Sequence, residues 1–115
     1  MAALQSIALA ARLNPRASAG MWVAVASVNF AAGRPEKAVE LWEQARAANT
    51  DLIVARIPLA ALYESEGRHE EARALAQEIL RVNPDLTAES ATELPLALGF
   101  DRDEAIANLR SAGLP

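Results

Sequence analysis

The 115-residue chain has no cysteine, which removes disulfide staples, thiol catalysis and cysteine-rich zinc sites at once and fits a cytoplasmic protein. Its only histidine is His69, so a metal site would have no second imidazole. Arg73 stands where a His-Glu-x-x-His metalloprotease motif needs its second histidine. The five glycines stand apart from one another, and no glycine-rich loop is available to cradle a phosphate. Basic residues are few and scattered: eleven Lys and Arg against fifteen Asp and Glu give a net charge of −4, the reverse of a nucleic-acid footprint. Long apolar runs are missing as well. The longest, Met21 to Ala32, includes Ser27 and Asn29 and is too short to span a bilayer. Residues 1–13 lack a basic leader and are interrupted by Gln5, Ser6 and Arg12, which argues against a secretory signal. Val and Ile are few, six Pro and five Gly punctuate the chain, and no Asn-Gly or Asp-Gly joins two alternating runs, all of which argues against a sheet protein.

What the chain has in abundance is alanine, 27 residues in all, which favours all-α structure with helices packed closely. Its length suits a single domain. Sliding the sequence against itself by 34 residues aligns Gly33-Arg34-Pro35-Glu36-Lys37-Ala38 with Gly67-Arg68-His69-Glu70-Glu71-Ala72, and Asn49-Thr50 with Asn83-Pro84. A third, partial copy aligns Ala2 to Pro15 with Glu71 to Pro84. The reading is a partial repeat over 1–15 (second helix only), repeats over 19–52 and 53–86, and a cap over 87–115. Each full repeat is two antiparallel helices: Ala19 to Ala32 with Pro35 to Ala48, then Leu52 to Glu66 with His69 to Val82. Gly33 and Gly67 sit where a helix ends in a left-handed residue, and Pro35 opens the next helix at no cost in hydrogen bonds. Ala38, Leu41, Trp42 and Ala45 share one face, as do Ala72, Leu75, Ala76 and Ile79. Pro58 conflicts with its helix, and either a late helix start or a mild kink accommodates it.

On these residues the chain resembles the tetratricopeptide repeat, an α-α superhelix whose signature spaces a Trp, a Leu-Gly pair, a Tyr, an Ala, an aromatic and a Pro through each unit. The first repeat matches with Trp22, Val25-Ala26, Ala38, Trp42 and Ala45, and departs at Asn29 for Tyr and Thr50 for Pro. The second matches with Leu59-Ala60, Tyr63, Gly67, Ala72 and Pro84, and departs at Arg56 for Trp and Ala76 for the aromatic. Small residues Ala26, Ala38, Ala45, Ala60 and Ala72 mark the helix crossings. Beyond Pro84 the period breaks. Thr87 caps a short helix that Pro95 ends; Asp101 with Glu104 starts another, with Phe100 as a staple, and Gly113 ends it with Leu114 folding back onto Leu109. Phe100, Ile106 and Leu109 supply the capping surface.

The tail, from Asn83-Pro84-Asp85-Leu86 to Leu109-Arg110-Ser111-Ala112-Gly113-Leu114-Pro115, is similar to the C-terminal end of the repeat regions of bacterial class III adenylate cyclases and related regulators. Ser111 departs from the Lys of that motif, and no cyclase domain is present for the family's catalytic residues to map onto. The resemblance implies a fragment of a larger signalling protein, with Met1 an expression start. The alternative is a second subunit covering the N-terminal face.

No catalytic, cofactor-binding or metal-binding residue is nominated. His69 reads as a solvated helix-start residue. Glu36 with Glu40 and Glu89 with Glu93 read as solvated faces, and no serine has a His in a nucleophile arrangement. Trp22, Trp42 and Tyr63 occupy packing positions. By the family resemblance, the first helices of the repeats line a concave groove for a protein or peptide partner: Gly20, Val23, Ser27 and Phe30 in the first unit, Val54, Ile57, Ala61 and Glu64 in the second. Val23 and Ser27 do not match the Lys and Asn with which some members clamp a C-terminal carboxylate. Replacing Val23 and Ile57 with Glu is expected to abolish partner binding with helicity intact. The reading is thus a non-catalytic interaction module without nucleic acid or membrane partners. A self-association module that forms a homodimer is the alternative, and an enzyme the most distant one.

Overall fold

In a computed structural model that describes residues 15–49, 51–93 and 100–115, with the backbone alone for 15–18, the regular elements are all helices, and no strand occurs among the described residues. The helices are α1 (Pro15–Ala31), α2 (Pro35–Ala48), α3 (Ile53–Ser65), α4 (His69–Val82), α5 (Ala88–Ala91) and α6 (Arg102–Ala112). They belong to two compact units, Met1–Leu52 and Ile53–Pro115. In the first, α1 packs on α2. In the second, α3 packs on α4, and α6 packs on α3, α4 and α5.

Both hairpins turn in the same way because the same residues recur one period apart. Gly33 and Gly67 have φ near +80°, and each helix closes with a pair of backbone bonds: Gly33 to Phe30 and Arg34 to Asn29, then Gly67 to Glu64 and Arg68 to Tyr63. The residue after each glycine also meets the side chain five positions back. In the second unit the Arg68 guanidinium lies 4.0 Å from the centre of the Tyr63 ring. In the first, where Asn29 replaces the Tyr of the signature, Arg34 Nη1 donates to Asn29 Oδ1 at 3.3 Å while Asn29 Nδ2 donates to the Val25 carbonyl at 2.9 Å. The departure therefore exchanges a cation–ring contact for a hydrogen bond and keeps the turn. Gly113 repeats the motif at the end of α6, with its N–H bonded to Arg110 and that of Leu114 to Leu109.

A Cβ at Gly67 would meet nothing, so Gly67→Ala is expected to cost only the backbone penalty of a left-handed alanine, about 1–2 kcal/mol. Gly20 lies inside α1 with open space around it, and Gly20→Ala should stabilise by about 0.5–1 kcal/mol. Urea titrations of the two variants should move in opposite directions. Two shifts of the same sign would contradict the assignment of conformation at one of the two sites.

The packing surfaces follow the apolar register. Ala38, Leu41, Trp42 and Ala45 are the buried residues of α2, and Ala72, Leu75, Ala76 and Ile79 those of α4. The five crossing-point alanines, Ala26, Ala38, Ala45, Ala60 and Ala72, are fully buried. Trp22, Trp42 and Tyr63 are core residues, and Phe30 leans on Trp42 with ring centroids 5.7 Å apart.

Four details differ from expectation. The first helix begins at Pro15 rather than Ala19, since proline suits a first helical position and no residue up to Ala31 interrupts the run. The late start that would excuse Pro58 does not occur: α3 begins at Ile53 and continues through Pro58, giving up the bond that residue 58 would donate to the Val54 carbonyl. Burial of Ala55, Ile57, Leu59 and Ala60 holds that helix through the gap. Thr87 caps α5 as expected, by a reciprocal pair with Ser90, but α5 ends at Ala91, ahead of Pro95. The α3-facing residues of α6 are Ala105 and Leu109, while Ile106 is half-buried on the side toward Glu89. Asp101 caps α6 by accepting from the Glu104 N–H at 3.0 Å. Residues 1–14 of the partial repeat expected over 1–15, Thr50 of the first repeat and Pro95 lie outside the described residues.

Candidate functional site

The first-helix residues expected to meet a partner divide by exposure. In the first unit Gly20 is exposed and Phe30 half-buried, whereas Val23 and Ser27 are buried. In the second unit Val54 and Glu64 are half-buried, whereas Ile57 and Ala61 are buried. Helical register explains why each set shares one side of its helix, but not what lies over that side. For Ile57 and Ala61 it is the chain's own C-terminal segment: with Pro58 they line a small apolar cavity against Phe100, Ala105 and Leu109. Val23 is only 3% exposed and Ile57 only 6%, so a carboxylate at either position would be desolvated and would break the fold. The substitutions expected to spare helicity therefore cannot do so, and a usable probe belongs at Gly20 or Val54.

The polar members of the set are unusual. Ser27 Oγ is buried with no hydrogen-bond partner among the described residues. Glu64 Oε1 lies 2.7 Å from His69 Nδ1, while Glu64 Oε2 is buried with no partner among them. His69 is the exposed first residue of α4, and the pair spans the turn at Gly67. Beside it, Arg68 donates from Nε to Glu71 Oε1 at 2.8 Å and from Nη2 to Glu71 Oε2. That hydrogen bonding raises the already high Arg68 pKa and keeps the guanidinium charged over Tyr63. Glu40 pairs with Lys37 and Glu89 with Arg110, on exposed surface. Among the described residues no three His, Cys, Asp or Glu side chains gather as a metal site would require.

One feature escaped the sequence reading. Arg56, at the signature Trp position, is 2% exposed, and its Nε donates to Glu78 Oε1 at 2.8 Å, tying α3 to α4. A charge set among Ile53, Val54, Ile57 and Leu59 was the available signal that it needed a buried partner.

Two helical hairpins of the same turn geometry, one sequence period apart, define an α-hairpin repeat protein. The family model for the tetratricopeptide repeat matches residues 29–92, more than half of the chain, and the chain belongs to that family. Comparison with curated proteins and with solved structures gave no match. Tetratricopeptide repeats generally mediate protein–protein interaction and are typically non-catalytic. No helix among the described residues is long and apolar enough to cross a membrane.

Proposed function

We propose that the chain is a non-catalytic interaction module that holds a peptide or helix of a protein partner on the first-helix faces of its repeats. The observation that carries this is the accessible, uncharged surface at Gly20 and Phe30 on α1 and at Val54 on α3. Such surface suits apolar side chains of a partner better than phosphates or a terminal carboxylate. Gly20→Glu and Val54→Glu are each expected to cut partner capture by about tenfold or more, the effect of one desolvated charge worth about 1.4 kcal/mol or more, with the circular dichroism unchanged. Capture at the wild-type level by both variants, still folded, would remove the assignment.

The tail motif from Leu109 to Pro115 supports a narrower context, the C-terminal repeat region of a cytoplasmic bacterial signalling protein such as a class III adenylate cyclase. The reading frame that encodes residues ahead of this region in the parent gene tests it directly, by the presence or absence of a cyclase domain.

A second reading, self-association into a homodimer, is favoured by α1. Met21 is 47% exposed and Val28 68%, and Ala24 and Ala31 lie on the same side of the helix. This side carries no charge, so a second copy can meet it without like-charge contact in a chain of net charge −4. Sedimentation equilibrium should then show a concentration-dependent mass that Val28→Glu abolishes. A constant monomer mass at millimolar protein would eliminate the homodimer.

A further inference from the structure

The face of α3 formed by Ile57, Pro58 and Ala61 is not bare surface, and what covers it indicates what it can bind. Helix α6 lies across it as an amphipathic helix: Ala105, Leu109 and Ala112, at i, i+4 and i+7, are buried, while Arg102, Asp103, Glu104, Ala107 and Arg110 are exposed. The contact is apolar, and Ile57, Pro58 and Ala61 line a small open pocket together with Phe100, Ala105 and Leu109. Two of the three inward residues of α6 are alanines, so side-chain burial along the helix is modest.

The ends of the segment supply the rest of the hold. Leu114 is buried, its N–H returns to the Leu109 carbonyl at 3.0 Å, and an oxygen of Pro115 accepts from the Ala88 N–H at 2.8 Å. Gly113 lets the chain pass close to α4, where a Cβ would sit 3.7 Å from that of Ala76. At the surface Arg110 Nη2 donates to Glu89 Oε1 at 2.5 Å. A helix held by a small apolar stripe and by a terminal latch is one that a competing helix can replace once the latch opens.

We propose that α6 is a displaceable internal ligand: the Ile57–Pro58–Ala61 face is a docking surface for an amphipathic helix of a protein partner, and the Leu114–Pro115 latch controls access to it. The occupant carries the α6 pattern, small and leucine side chains at i, i+4 and i+7 behind an aromatic, with a charged outer face. This deepens the proposed interaction role by naming a second, covered surface in the Ile53–Pro115 unit, and it rests on that role for its biological use.

The test uses the full chain and a fluorescent peptide of residues 100–115, so no natural partner is needed. Leu114→Asp places a carboxylate at a buried position of the latch and leaves Ile57, Pro58 and Ala61 themselves unsubstituted. The variant should bind the peptide about tenfold or more tightly than the wild type, whose own α6 competes when it is seated at least roughly nine-tenths of the time. A peptide carrying Leu109→Glu should not bind. Equal binding by a folded variant and the wild type would overturn the proposal. If Leu114→Asp does not fold, hydrogen exchange of the wild-type chain decides instead. The α6 amides should exchange ahead of those of α3 and α4 by an opening that leaves the hairpin closed. Exchange of all three helices at one common rate would make α6 a fixed part of the core and sink the proposal. Because Gly20 and Val54 are not involved, loss of the groove reading with peptide binding intact, or the reverse, tells the two apart.

Discussion

Trp42→Ala is expected to remove about 3–5 kcal/mol of stability. Trp42 is fully buried on the inner face of α2, between Ala38 and Ala45, the small residues that bring α2 and α1 close. Truncation to alanine loses the transfer energy of the indole and leaves a cavity that two alanine neighbours cannot fill. It also ends the tilted ring contact with Phe30, worth about 0.5–1.5 kcal/mol. Against a total of roughly 5–15 kcal/mol for a chain of this size, the loss should lower the midpoint of thermal unfolding by roughly 15–30 °C. Trp22 remains as a fluorescence probe in the same unit. Trp42→Phe keeps most of the volume and should cost about 1–2 kcal/mol, and Phe30→Ala, at a half-buried position, a similar amount. A loss below about 1 kcal/mol for Trp42→Ala would mean that α2 is not held on α1 by this side chain.

Trp42 also shows why so much of the fold was legible. Large and small residues alternate with the period of the repeat, so Trp42 and the five alanines at the crossings could be placed from their spacing. Turn chemistry was equally readable, because only glycine adopts the φ of Gly33 and Gly67 without strain. Other features depend on three-dimensional placement that spacing does not encode. Register put Val23, Ile57 and Ala61 on the side of a partner, but register gives an angle about a helix axis and not what another segment lays over it. The bond from Ala88 to Pro115 is made by backbone atoms, which every residue type carries. Pro58 was recognised as a conflict, yet the propensity rule that made it one is overridden by the burial of the residues on either side. Arg56 was seen only as a missing Trp, because its partner lies on the next helix at no fixed spacing.

That partner sets the second large effect. Glu78→Ala is expected to cost about 3 kcal/mol, toward the lower end of the range for breaking a buried ion pair. The Arg56 guanidinium would stay buried without the carboxylate it donates to. The Arg56 side chain is 3% exposed, so water cannot replace the carboxylate. Glu78, whose side chain is 26% exposed, already draws on water for part of its solvation, which keeps the penalty from reaching the upper end of the range. Glu78→Gln retains an acceptor oxygen and should cost less. The informative variant is the double one: Arg56→Met with Glu78→Ala removes the charge together with its partner and replaces the guanidinium by an apolar chain of similar length. Its stability should lie within about 1 kcal/mol of the wild type or exceed it. The two single substitutions should therefore be strongly non-additive, with a coupling of about 2 kcal/mol or more in a double-mutant cycle followed by circular dichroism in urea. The tryptophans lie in the other unit, so their fluorescence serves as a separate record of that unit during the same titration. Additive costs from the two positions would mean that the 2.8 Å contact contributes no net stability. Arg56 would then be held at the signature Trp position by its aliphatic stem, packed against its apolar neighbours, rather than by its charge.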